Sequence, residues 1–141
     1  MRSAPLLLLL AMVLSSCASH APARRGRRPG DVELVAQWSL FRSGDASGFG
    51  AAMAAVDRCR HAEALIEREG GDLYVEDGNV VGRGRCDIVL YTDRIDATAA
   101  RLVGLMRTGK LPGDLRVGVA VSAPVPGYRV VYPASLTRFD P

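Results

Sequence analysis

Apolar residues recur at every second position from Val32 to Leu40 and at every third or fourth from Phe49 to Ile66. A chain that switches period in this way has to bury one face of a strand and one stripe of a helix, so it builds sheet and helix around a shared core. In the first stretch Val32, Leu34, Ala36, Trp38 and Leu40 alternate with Glu33, Val35, Gln37, Ser39 and Phe41, which predicts a strand with one strongly apolar face. In the second, Phe49, Ala52, Met53, Val56, Cys59, Ala62 and Ile66 predict the buried stripe of an amphipathic helix that Gly70-Gly71 stops. Arg42 to Gly48 is turn-rich, and Asp45 or Ser47 can cap that helix.

The alternation of periods continues. Leu73–Glu76 and Asn79–Gly82 read as the arms of a hairpin turned at Asp77-Gly78, because Asp-Gly accepts the positive φ angles of a two-residue turn. Cys86 to Tyr91 reads as a strand with Cys86, Ile88 and Leu90 on one face and Asp87, Val89 and Tyr91 on the other. Asp93 stands where a cap belongs, and Ile95, Ala99, Leu102, Val103 and Met106 form a helical stripe ending near Gly109. Leu115 to Ser122 alternates as a strand, and Tyr128 to Tyr132 predicts a short edge strand that Pro133 ends. This order gives an α+β class and the βαββαβ plan of a ferredoxin-like two-layer sandwich plus a C-terminal edge strand, with two helices on one face of an antiparallel sheet. The other face mixes Glu33, Gln37, Asp87 and Arg116 with Val35 and Tyr91, a polarity that suits a face left open.

Ahead of this body lies a different kind of sequence. Met1 to Ser16 holds one cation, Arg2, then a run from Leu6 to Leu14 of only Leu, Ala, Met and Val, then two serines. That is the layout of a secretory signal peptide, and its apolar run is about half the ~20 residues a spanning helix needs. Leu14-Ser15-Ser16-Cys17 resembles the lipobox of bacterial lipoprotein precursors. The resemblance implies diacylglyceryl transfer to the Cys17 sulfur, cleavage before Cys17, and acylation of the new amino terminus, with palmitate as the expected acyl group. It also implies a place in the cell envelope, anchored in a membrane through Cys17. Ala18, not aspartate, follows the cysteine, so the resemblance favours the outer membrane, facing the periplasm, over the inner. The competing reading is an ordinary leader cut within Ala18 to Ala23, which discards Cys17.

Charge divides the chain at the same place. Of 18 Lys and Arg, five (Arg2, Arg24, Arg25, Arg27 and Arg28) precede Asp31, leaving 13, whereas all 15 acidic residues lie in Asp31–Pro141, so the body carries 13 − 15 = −2. A nucleic-acid role therefore does not follow from the overall basicity. Residues 17–30 read as a lipidated, Arg/Pro/Ala-rich tether whose arginines either sit against anionic headgroups or are simply solvated. Asp31–Pro141 has the length of one small domain.

Within that domain the chemistry-bearing residues are few. Once Cys17 is assigned to lipid, Cys59 and Cys86 remain, on the apolar faces of a helix and a strand; in an oxidising compartment they are either a disulfide or two buried thiols. No metal or cofactor motif is present: Cys59 and His61 are two apart on a helix and point to different sides, and the other histidine, His20, is in the tether. Glu76 with Asp77 and Asp93 with Asp96 are simpler as turn and helix-start residues than as an acid–base pair. Gly82-Arg83-Gly84-Arg85 lacks the helix N-terminus that completes a phosphate site. No catalytic residue is assigned. The leading expectation is an envelope binding or protein-interaction module using the open sheet face and its edges, with Tyr74, Tyr91, Arg116, Tyr128 and Tyr132 as the candidate surface. The bland reading of those tyrosines is packing. The alternative is a small hydrolase-like enzyme or a small-molecule sensor, with Asp87 and Arg116 on the open face.

Overall fold

The computed structural model describes residues 25–41, 48–122 and 126–141. The leader, Cys17, His20, Arg24, and the candidate caps Asp45 and Ser47 lie outside the described residues. Five strands and two helices follow in the order β1 (Val32–Ser39), α1 (Phe49–Gly70), β2 (Val75–Gly82), β3 (Arg85–Thr92), α2 (Ile95–Arg107), β4 (Arg116–Val121) and β5 (Gly127–Tyr132). The strands form one sheet in the order β2-β3-β1-β4-β5, and every neighbouring pair is antiparallel. The α+β class, the antiparallel sheet and the two helices are as the periodicity predicts.

Leu34, Ala36 and Trp38 of β1, Cys86, Ile88 and Leu90 of β3, and Val117 of β4 share one buried cluster with Ala55, Cys59 and Ile66 of α1 and Ala99, Leu102 and Leu105 of α2. Both helices therefore cover the same face of the sheet. Leu34, Ile88, Leu90 and Leu102 are completely buried, each contributing about 1.5–3 kcal/mol by leaving water. Cys59 and Cys86 are joined in a disulfide with a Cα–Cα separation of 5.8 Å, which ties α1 to β3 beneath the helix.

Four expectations are corrected. Asp77-Gly78 is not a hairpin turn: β2 runs through it, with a register shift between Glu76 and Asn79, and Gly78 takes the φ of 114° that the bulge needs while its N–H donates to the Glu76 carboxylate. The two-residue turn is Arg83-Gly84, between the paired Gly82 and Arg85, and both turn residues have positive φ (51° and 75°). Asp93 does not cap α2; the Thr92 hydroxyl accepts from the Arg94 N–H at 2.9 Å, and the Thr98 hydroxyl donates to Thr92 at 3.0 Å. Phe49 and Met53 are not core but 82% and 44% exposed. A 22-residue helix is about 33 Å long against about 26 Å for an eight-residue strand, so the first turns of α1 project beyond the sheet.

The fourth correction concerns the sheet face opposite the helices, which is not open. From the carboxyl end, Phe139 packs on Gly118 so closely that a Cβ there would lie 2.5 Å from its ring, and the Asp140 carbonyl accepts from Gln37 (3.0 Å) and from Arg85. From the amino end, Arg25 is buried, with its guanidinium on Asp31, on the Tyr91 carbonyl at 3.3 Å and on Asp93 at 3.4 Å. Structural contacts thus begin ahead of Asp31, in residues read as tether.

Candidate functional site

The residues expected to form a surface are mostly occupied. Tyr74 is buried, its hydroxyl donating to the Ile66 carbonyl at 2.7 Å, and burial raises its pKa; it belongs to the core and not to an interaction surface. Tyr91 and Tyr128, on opposite sides of β1, both donate to the Glu33 carboxylate. Burial first, and then the Glu33 charge, raise both phenols, Tyr128 to about 12. The guanidinium of Arg27 lies 3.6 Å over the Tyr91 ring, and the Tyr128 ring meets Phe139 at 5.7 Å. Tyr132 sits on the helix side, where a register shift between Val117 and Gly118 carries it against the core.

Asp87 and Arg116 do share the outer face, but Gln37 stands between them, paired in register with both. They are two strands apart, about 9–10 Å, too far for a direct ion pair. Asp87 is buried with one carboxylate oxygen unpartnered. Among the described residues no group of His, Cys, Asp and Glu is arranged to hold a metal ion. On the opposite face at the β2 edge, Glu63 accepts from Asn79, and Glu76 titrates above the usual carboxylate range because it is partly buried and faces Glu63 and Glu67.

A cavity lies elsewhere, at the end of the sandwich where β1 finishes. It is a cleft of about 1050 Å³ between α1, from Ala51 to Leu65, and the segment Met106–Gly113 that leaves α2. Trp38, Leu65, Met106 and Leu111 give it an apolar lining, and Trp38 and Leu111 are themselves buried. The walls are fixed by backbone chemistry. Arg58 donates to the Leu40 carbonyl at 3.2 Å, which holds α1 to the end of β1. Gly109, at φ 73°, ends α2 and lets the N–H groups of Lys110 and Leu111 both return to the Leu105 carbonyl. The Asp114 carboxylate accepts from the Ser39 N–H at 2.9 Å, closing the segment onto β1.

Among the described residues, Arg58, His61 and Lys110 are the ionisable groups lining this cleft, and no described Asp or Glu lines it. In a domain of net charge −2 that is a local reversal of sign. The second groove, between α1 and α2, differs: its Arg94 and Arg101 face Asp72 at 3.3 Å and Glu69 at 3.8 Å. His61, expected as a surface residue, is exposed, its ring nitrogen 2.7 Å from the Asp57 carbonyl. The cleft draws on β1, α1, and the loop after α2, so no local motif marks it.

No family model, curated protein or solved structure matches the chain.

Proposed function

We propose that the chain is a lipid-anchored binding module of the bacterial cell envelope, and that its binding element is the cleft at the end of β1. The observation that carries the reading is the coincidence, in one cleft of about 1050 Å³, of an apolar lining with cations and, among the described residues, no carboxylate. The address rests on Leu14-Ser15-Ser16-Cys17, with Ala18 favouring the outer membrane. The Arg25 contacts lie at the start of β1 and the cleft at its end, about 26 Å apart, so an anchor preceding Arg25 leaves the cleft at the far end of the domain. A ferredoxin-like identity for the sandwich is supported by β3 lying between β1 and β2, which α1 connects, with β5 added beyond β4. The hydrolase-like reading draws no support from Asp87 and Arg116, since Gln37 separates them.

Two measurements test the module. Labelled palmitate should enter the native protein and fail to enter Cys17→Ala, which should leave the membrane fraction; equal labelling of the variant overturns the anchor. A photo-crosslinking residue placed at Phe41, which lines the cleft, should give adducts in cells, whereas one at Val80, exposed on β2, should not. Equal yields from the two positions would overturn the assignment to the cleft.

A further inference from the structure

We propose that the cleft binds a free single-chain amphiphile with an anionic head, of the fatty-acid kind; the inference rests on the reading of the cleft as the binding element. Shape argues for a chain. The wall that α1 supplies runs from Ala51 to Leu65, about 21 Å at 1.5 Å per residue, so the cleft is elongated along the helix. Trp38, Leu65, Met106 and Leu111 line it, and an unbranched methionine adjusts to chains of different length. At the end of β1, Phe41 lines the cleft and is 42% exposed, apolar area that an alkyl chain laid along the helix removes from water.

Charge argues for the head. Arg58 and Lys110 stand on opposite walls with apolar stems and cationic ends, so an anion between them gains from both. A cationic head meets like charges and, among the described residues, no carboxylate. Inorganic phosphate satisfies the cations but leaves the apolar lining in water. The groove between α1 and α2 lacks this selectivity, because Glu69 and Asp72 already stand beside its arginines.

Trp38 is the single tryptophan of the chain and lines the cleft, so its emission reports occupancy directly. The full chain carrying Cys17→Ala, purified free of detergent, is titrated with dodecanoate, with dodecyltrimethylammonium and with anionic phospholipid vesicles. Dodecanoate should give a saturable change below its micelle concentration, and the cationic amphiphile should bind about tenfold more weakly or worse. Lys110→Glu, and separately Arg58→Gln, should weaken dodecanoate about tenfold with the melting temperature of Lys110→Glu unchanged. Equal binding of the two amphiphiles, undiminished binding by Lys110→Glu, or a response to vesicles alone would overturn the proposal, the last in favour of a membrane-contacting surface. If no probe moves Trp38 while crosslinks from Phe41 persist, the ligand class is wrong and the cleft stands as a binding element. If both are lost, the cleft is abandoned as well.

Discussion

Asp31 accepts from two sides, the Arg25 guanidinium and the Arg28 N–H, and these hold its carboxyl below the usual carboxylate range, the Arg25 hydrogen bond first. A carboxylate whose folded pKa is depressed contributes stability that is present above its unfolded pKa and lost as pH falls through the folded one. Asp31→Asn should therefore be less stable than the parent at pH 7, and the gap should close as denaturant melts are repeated at decreasing acid pH. A gap independent of pH would show that the ion pair contributes nothing. At Gly118 the constraint is steric, since a Cβ would meet the Phe139 ring at 2.5 Å. Gly118→Ala should cost about 1–3 kcal/mol in urea unfolding, with part restored when Phe139 is replaced by leucine. Neither residue advertises this in the sequence. Arg25 is one of four arginines within five positions, and nothing in the sequence distinguishes it from the others, whereas in the fold it is buried.

Helices and strands were largely legible because each buries one face, and burial imposes its period on the sequence: Cys86, Ile88 and Leu90 sit where alternation puts them. The β2–β3 connection was misplaced because Asp-Gly serves a bulge as well as a turn; the pairing across β3, which decides between them, is long-range. The turn itself holds Arg83 at a φ of 51°, where asparagine is at less disadvantage, so Arg83→Asn should raise stability by about 0.5–1 kcal/mol in chemical denaturation. The apolar stripe of α1 continues about two turns beyond the sheet, and the sequence does not disclose how far a helix overhangs its sheet. What pins that helix is the Cys59–Cys86 bond, which closes a loop of 27 residues. Replacing both cysteines by alanine should cost about 3.5 kcal/mol on the loop-entropy argument, read as a lower denaturant midpoint that reductant no longer shifts.

Across the whole molecule, both ends of the described chain return to the same sheet face: Arg25 at the start of β1, Phe139 and Asp140 near its middle and end. The carboxyl-terminal segment has no apolar period, and its bond from Gln37 spans 103 residues, which is why a mixed-polarity face looked open in the sequence. Ending the chain at Pro133 should lower the unfolding free energy by about 2–4 kcal/mol, from the exposed Phe139 site and the unpartnered Gln37 amide together. A cooperative melt at the parent's midpoint would show that the segment only rests on the sheet. The cleft escaped notice for a similar reason, being assembled from Trp38, Arg58 and Lys110, residues that become neighbours only when the sandwich closes. The position of β1 between β3 and β4 adds a mechanical property. Tension applied to the amino-terminal end enters through the Arg25 contacts and then meets a strand laddered on both sides, so extraction must shear two sets of hydrogen bonds at once instead of peeling an edge, and the domain resists being pulled from that end.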